Sequence, residues 1–354
     1  MPNTLSLLGF QRVRVPETSS PYDAWTLDAW KPLDPSEIRL KVERLNLDAT
    51  SFRDLWERHA GDAQKMGAEV LAIVAERGKM HNPRTGSGGV MQGRISELGS
   101  QRLGEATLGE PVVTLVTNTI VPLSLRAVLA VDPKTHQLDV DGEAILSPAA
   151  RFARLPSDLP EALALSVFDV CGVVPQTRRL AQPGSQVLII GAGGKAGLLA
   201  TYAAAEAVGP QGRVIAVVPS AHELSQFDGL PDWVVPCLAD ATHAAALNRA
   251  VLEASQGALM DAVIDCASAR GTEVGAVSCC REGGTVFFFN MATSFQAAAL
   301  GAEVIGRDVM LGIGFGLVPN AAEEGIALVR KHASLRRLLE ARIAGTSERM
   351  RECK

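Results

Sequence analysis

The stretch GSQVLIIGAGGKAGLLATYAAAEAVGPQGRVIAVVPS, residues 184–220, leaves the chain few ways to fold there. QVLII is an all-apolar run of strand length, GAGGKAG is a turn of small residues, and LLATYAAAEAV reads as a helix. GRVIAVV then returns as a second apolar strand roughly 30 residues after the first, which is the length of one βαβ unit in a parallel sheet. The glycines follow the pattern G-x-G-x-x-G/A. Gly191 makes the tight turn, Gly193 admits a pyrophosphate against the backbone, and Ala196 with Gly197 lets the helix settle closely on the strand. Gly194 and Lys195 stand where the helix starts, and there free N–H groups and the helix dipole favour negative charge. The unit predicts dinucleotide binding, with NAD or NADP as cofactor.

An Asp or Glu roughly 20 residues past the glycines usually accepts the ribose hydroxyls of NAD. Here the second strand ends VVPSAHE, with Val218, Pro219 and Ser220, and no acid stands at that place. Ser220 can bond a ribose hydroxyl or a 2′-phosphate, so the sequence leaves the choice of cofactor open. MDAVIDCAS and GGTVFFFN read as further strands of the same sheet. The loops after them, 266–268 and 290–293, are expected to face the cofactor and make Cys266 and Asn290 candidate contacts.

The first 160 residues have another texture. Short apolar runs such as SEIRLKVERLNL and GEPVVTLVTNTIVPL are separated by turn residues, which predicts a mostly β domain. We place that domain at residues 1–162, with a possible return of 335–354 to it, and the nucleotide-binding domain at 163–334.

A chain of 354 residues with 47% hydrophobic and 21% charged residues is long and apolar enough for two domains with real cores. The net charge of -5 offers no basic field for a phosphate backbone, so nucleic acid is not an expected partner. No run of apolar residues is long enough to span a bilayer, and no membrane partner is expected; the reading is a cytoplasmic protein. The six cysteines contain no CxxC pair, which argues against a disulfide framework and a clustered zinc site.

Within the first domain, RGKMHNPRTGSGG, residues 77–89, gathers cations, a histidine, an amide and four glycines. Such a stretch is either a long surface loop or a site where backbone approaches a ligand. His81 has an ordinary pKa near neutrality and is the leading acid/base candidate, with Lys79 second if burial lowers its pKa, and Glu76 third.

The β-rich first half followed by AQPGSQVLIIGAGGKAGLLA, with GRISELGS as a crossing strand, resembles the medium-chain dehydrogenase/reductase superfamily. The resemblance implies a GroES-like, mostly β catalytic domain, a Rossmann doubly wound parallel sheet, and a homodimer or homotetramer. GKMHNPRTGSGG, with LNLDATSF before it and GRDVMLGIGFG near the end, is similar to the L-erythro-3,5-diaminohexanoate dehydrogenase family of lysine fermentation. This implies reversible oxidative deamination at C3 to 5-amino-3-oxohexanoate and ammonia, with hydride passing to NAD or NADP.

The chain departs from the zinc alcohol dehydrogenases of the superfamily. GGVMQ stands where their Gly-His-Glu signature would fall and Asp48 where their first ligand cysteine would. No metal is therefore expected, although Asp48 and His81 together could in principle share an ion. The implied amino-acid substrate carries a carboxylate and a second ammonium. TGSGG with Lys79 or Arg84 could receive the carboxylate, and Asp48, Glu76 or Asp169 the ammonium; Asn82 and Ser87 are further candidate substrate contacts. Two alternatives stay open: a zinc-free quinone or enone reductase, and a nucleotide-binding protein without catalysis.

Overall fold

The computed structural model describes residues 7–17, 19–314 and 318–352, with side chains as far as Arg342. Phe315 and Gly316, the end of the GRDVMLGIGFG motif, and Cys353 lie outside the described residues. The chain divides into two units, one of Met1–Asp169 with Ile343–Lys354 and one of Val170–Arg342.

The first unit opens with the strands β1 (Val13–Val15) and β2 (Thr26–Leu27), paired antiparallel. Its main sheet contains β3 (Ile38–Asn46), β4 (Val90–Leu98), β5 (Pro111–Thr114), β6 (Leu123–Asp132), β7 (Gln137–Leu146) and β8 (Phe152–Arg154). They lie in the order β6-β7-β3-β4-β5-β8, with every described pairing antiparallel. SEIRLKVERLNL is β3, as its alternation predicts: Leu40 and Val42 point to the core while Lys41 faces water.

Two helices interrupt this β framework, α1 (Ala49–Arg58) and α2 (Ala63–Arg77), where the sequence reading had a mostly β domain. Their signals are local. Asp48 and Asp62 each cap the first turn, accepting from the N–H groups two and three residues on. Met66, Val70, Ile73 and Val74 recur at helical spacing on α2, which packs on β6, and they share the core with residues of β3, β4 and β7. Gly78, at φ +61°, ends α2 in the left-handed region, and a Cβ there would run into Leu27 O. A short helix, α3 (Glu161–Phe168), closes the unit.

The second unit begins with α4 (Val173–Leu180), followed by the predicted strand–turn–helix–strand: β9 (Gln186–Ile190), α5 (Lys195–Val208) and β10 (Arg213–Val218). It continues with β11 (Val234–Leu238), α6 (Ala244–Ala254), β12 (Met260–Asp265), α7 (Glu273–Cys279), β13 (Cys280–Phe288), α8 (Phe295–Ile305), β14 (Met310–Ile313), α9 (Ala321–Lys331) and α10 (Ala333–Glu352). The sheet is parallel throughout, in the order β11-β10-β9-β12-β13-β14. Strand order reverses between β9 and β12, so the loops leaving their carboxyl ends flank the crevice where doubly wound sheets bind ligands. Among the described residues, no helix is long and apolar enough to cross a membrane.

Candidate active site

Residues 78–89 run as irregular chain between α2 and β4, and hydrogen bonds tie down the side chains of Lys79, Asn82, Arg84 and Ser87. Lys79 is fully buried, and its Nζ donates to Pro21 O at 2.7 Å and Tyr22 O at 2.8 Å. Burial, with Arg77 adding to it and Asp23 opposing, lowers its pKa to about 8. Two N–H groups meet the two carbonyls in either protonation state, and a pKa of about 8 keeps the amine mostly protonated at pH 7 and within reach of deprotonation just above it.

His81 is 9% exposed, stacks on Tyr22, and has a buried Nδ1 without a hydrogen-bond partner. Burial first, then the charges of Arg77 and Lys79, push its pKa down to about 4. This corrects the reading of His81 as a group that titrates near neutrality. Arg77 explains part of the shift: its Nη1 donates to His81 O at 2.8 Å while its guanidinium lies over the Trp25 ring. Glu76, by contrast, is exposed on α2 and shares no described hydrogen bond with Lys79 or His81.

Asp48, Asn82 and Ser87 come together as loop fasteners. Asp48 Oδ1 caps α1 through Thr50 N and Ser51 N, and Oδ2 accepts from Ser87 Oγ at 2.7 Å. Ser51 Oγ lies 2.7 Å from Ser87 Oγ and 2.6 Å from Thr85 Oγ1, which makes a short chain of hydroxyls ending on the Asp48 carboxylate. Asn82 is fully buried; its Nδ2 donates to Asp54 Oδ2 and its Oδ1 accepts from Arg84 N, while Arg84 Nε donates to Asp54 Oδ1. Asp169 sits half-buried at the carboxyl end of α3, apart from this cluster in the chain.

The loop glycines serve close packing. A Cβ on Gly88 would strike Met80 O, and one on Gly89, at φ +71°, would strike Asn46 O. Sequence reasoning missed Tyr22, Ser51 and Asp54, and had Thr85 only as the first residue of TGSGG. Ser51 and Asp54 had a signal, their places one and two turns after a capping Asp; Tyr22 reaches the loop from far along the chain.

In the second unit the glycine turn is built as the pattern demands, with one addition. Gly191 lies at φ +72°, and a Cβ there would meet Ala267 Cα and N at 2.8 Å; Gly197 packs so tightly that a Cβ would overlap Gly191 O. α5 starts after Gly194 with no side chain capping it, and Lys195 and Ala196 occupy its first turn half-buried. Those N–H groups are free of a side-chain cap, the condition under which a helix start receives a phosphate. The space beside Gly193, read from sequence as pyrophosphate room, is lined by Glu223: a Cβ there would lie under 3.0 Å from Glu223 Oε2 and 3.3 Å from Gln226 Oε1.

Ser220, two residues past the end of β10, is half-exposed, its Oγ hydrogen-bonded to His222 Nδ1. Across the switch point, Cys266 is buried, and burial raises its thiol pKa well above the ordinary range. Asn290 Nδ2 donates to Asp265 O at 3.2 Å, while its Oδ1 accepts from Ala292 N and Thr293 Oγ1. Asp265, fully buried at the end of β12, accepts from Thr272 Oγ1 and Ala267 N; burial raises its pKa to about 6 despite these bonds. An uncapped helix start, a glycine cradle and acceptors beside it fit a dinucleotide. No group of three His, Cys, Asp or Glu among the described residues could hold a metal ion.

Residues 11–156 match the family described as L-erythro-3,5-diaminohexanoate dehydrogenase N-terminal domain. The chain is 37% identical to the L-erythro-3,5-diaminohexanoate dehydrogenase of Acetoanaerobium sticklandii over 94% of its own length and 97% of that protein's. It is 36% identical to the enzyme of the same name from Fusobacterium nucleatum subsp. nucleatum, over 93% of its length and 96% of the relative's. Among solved structures it is similar to AibC, with TM-score 0.53 and 17% identity, covering 86% of this chain and 83% of that one. It is also similar to the CurK enoyl reductase, with TM-score 0.52 and 16% identity, covering 91% and 80%. Both likenesses concern the fold alone.

Proposed function

The chain belongs to the L-erythro-3,5-diaminohexanoate dehydrogenase family, and from that premise we propose that it oxidatively deaminates L-erythro-3,5-diaminohexanoate at C3 to 5-amino-3-oxohexanoate and ammonia. NAD or NADP, when bound, supplies the hydride acceptor. The observation that carries the reading is the buried amine of Lys79, held by two carbonyls with its pKa lowered to about 8. Deamination by hydride loss needs a neutral substrate amine, and imine hydrolysis then needs an activated water, so a base that exchanges protons close to neutrality serves both steps.

In this proposal Lys79 takes the proton and His81, neutral at pH 7, offers a ring nitrogen to the substrate or water rather than a charge. Asp48, Ser87 and Asn82 hold the loop that carries both residues. The dinucleotide lies on the glycine turn, with Gly191, Gly193, Gly194, Lys195 and Ala196 beneath its phosphates and Cys266 and Asn290 on the far side of the switch point. A homodimer or homotetramer belongs to the same proposal; Met310 at 70% and Ile313 at 69% exposure, on the edge strand β14, support it. The test is dinucleotide reduction with 3,5-diaminohexanoate, beside simple alcohols, amines and, in the reverse direction, quinones. Turnover with the diamino acid and release of ammonia are expected; reduction of quinones alone would replace this reading with that of a zinc-free quinone reductase.

A further inference from the structure

The short segment between β1 and β2 reaches over the loop that carries Lys79 and His81, and Tyr22 meets both residues. Its carbonyl accepts from Lys79 Nζ at 2.8 Å, beside the bond to Pro21 O, and its ring lies stacked on the His81 imidazole. Its hydroxyl donates to Gly86 O at 3.3 Å, on the far limb of the same loop. Trp25 extends the grip: its carbonyl accepts from Arg77 Nε at 3.2 Å, and the Arg77 guanidinium lies 4.3 Å from the centre of its ring. The segment is itself braced. Ala24 N donates to Ser20 O, Asp23 N to Ser20 Oγ and Trp25 N to Val15 O, while Ala24 and Leu27 are buried with Val13 in a small cluster of their own. An exposed tyrosine is ordinary on a protein surface. What sets Tyr22 apart is what it covers, for it is 45% exposed while Lys79 beneath it is fully buried and His81 almost so.

We propose that Tyr22 is a positioning residue of this site, its ring the cover that keeps water from His81 and its stacking the anchor that holds the carbonyls of residues 21 and 22 on the Lys79 amine. The proposal rests on the reading of Lys79 and His81 given above. The physical link is short. A ring held between an imidazole and Gly86 O leaves the main chain of residue 22 little freedom, so both carbonyls stay where the amine meets them. Water admitted beside either base would favour its charged form. Arg77 and Lys79 are the charges that face His81, and Arg77 and Asp23 those that face Lys79. Replacing the Tyr22 side chain leaves all of them in place and changes solvation and hold alone.

The experiment titrates histidine-labelled protein by NMR as wild type, Tyr22→Phe, Tyr22→Leu and Tyr22→Ala, with His81→Gln to identify the resonance. In wild type and Tyr22→Phe the His81 ring is expected to stay neutral down to about pH 5, because its pKa lies at about 4. In Tyr22→Ala the midpoint is expected to rise by at least about one unit toward the ordinary value, and in Tyr22→Leu, which fills the space without a stacking ring, by less in the same direction. The pH–rate profile with 3,5-diaminohexanoate reads Lys79: its limb at about 8 should stay in Tyr22→Phe and move upward by about one unit in Tyr22→Ala. Melting curves show which variants are folded, and the leucine variant carries the comparison if the alanine variant is not. If His81 titrates alike in wild type and in the folded alanine or leucine variant, Tyr22 is a surface residue, the proposal is overturned and the dehydrogenase reading stands. A phenylalanine variant that shifts as far as alanine would also overturn the role of the ring. If His81 moves as expected but the wild type releases no ammonia from the diamino acid, the positioning role stands and the dehydrogenase reading fails.

Discussion

Tyr22 lies stacked on His81, ring centroids 5.2 Å apart and planes 29° from parallel, and the contact helps to hide the imidazole from water. With Arg77 and Lys79 as its charged neighbours, the ring meets burial and like charge together, and its pKa falls to about 4. His81 is neutral throughout the physiological range.

Two outcomes follow for His81. As a neutral hydrogen-bonding partner of substrate or water it contributes to rate, so His81→Ala is expected to lower turnover by about 10² to 10³, the size of one hydrogen bond lost at the reacting centre, while cofactor affinity stays within a factor of two or so of wild type. Stability carries the second sign. The folded pKa lies below the ordinary 6.5, so the unfolded chain binds the proton first; the contribution is complete above pH 6.5 and is lost as pH falls toward 4. Thermal unfolding of wild type and His81→Gln between pH 4 and 7 reads this directly, and the variant should show the shallower decline. Parallel curves would mean that the imidazole is not held neutral.

Lys79 is the group placed to titrate where the enzyme would work. As a base it acts deprotonated, so the rate of deamination is expected to rise with pH through about 8. Lys79→Met should remove that rise along with most of the turnover. Lys79→Arg keeps a cation that cannot be deprotonated and should behave like the methionine variant. The substrate's own amine also titrates, but it does so equally in every variant, so only a limb that vanishes with the lysine belongs to it. A fully active arginine variant would overturn the assignment.

The nucleotide-binding unit was largely legible because its signals are local. QVLII, the glycine turn and GRVIAVV are each decided within a few residues by apolar continuity and by positions that exclude a Cβ, and they stand as β9, the turn and β10. Glu223 was not legible in the same way. It lies on a 3-10 helix beyond the place where the acid usually stands, and only the fold of that helix brings its carboxylate to Gly193. In the first unit the rich polar loop was visible as composition, but its internal geometry was not, because Pro21 and Tyr22 reach Lys79 across more than fifty residues. The helices α1 and α2 were readable from Asp48, Asp62 and the spacing of Met66, Val70 and Val74, and were lost to the β texture around them.

Asp48 separates a structural role from a substrate contact. Its carboxylate caps α1 and anchors Ser87, so Asp48→Ala should cost about 1–2 kcal/mol in chemical denaturation, the range of a lost cap. Asp48→Asn retains an oxygen for the cap and an amide for Ser87 while removing the charge. If the residue only fastens the loop, the asparagine variant keeps KM for the diamino acid near wild type; if it meets the substrate's ammonium, KM rises while the melting temperature holds.

Asp265 stores a charge at the switch point, and its removal should be visible as stability. The carboxyl group is fully buried at the end of β12, and burial outweighs the bonds from Thr272 Oγ1 and Ala267 N, with Glu273 adding repulsion, so the folded pKa rises to about 6 from 3.8. For an acid so shifted, the folded state holds the proton longer than the unfolded chain. Stability is therefore complete below pH 3.8 and declines as pH rises through about 6. Asparagine has the same shape, accepts from Ala267 N through its oxygen and donates to a rotated Thr272 hydroxyl, without a charge to bury. The difference in melting temperature between Asp265→Asn and wild type should grow in favour of the variant as pH is raised from about 4 to about 6.5, then level off. The same variant leaves the backbone carbonyl that Asn290 Nδ2 reaches, so its NADH dissociation constant should stay close to wild type. A melting difference that does not change with pH would show that Asp265 stays ionised across this range, and a large loss of NADH affinity would move the residue from the wall of the site to its contact surface.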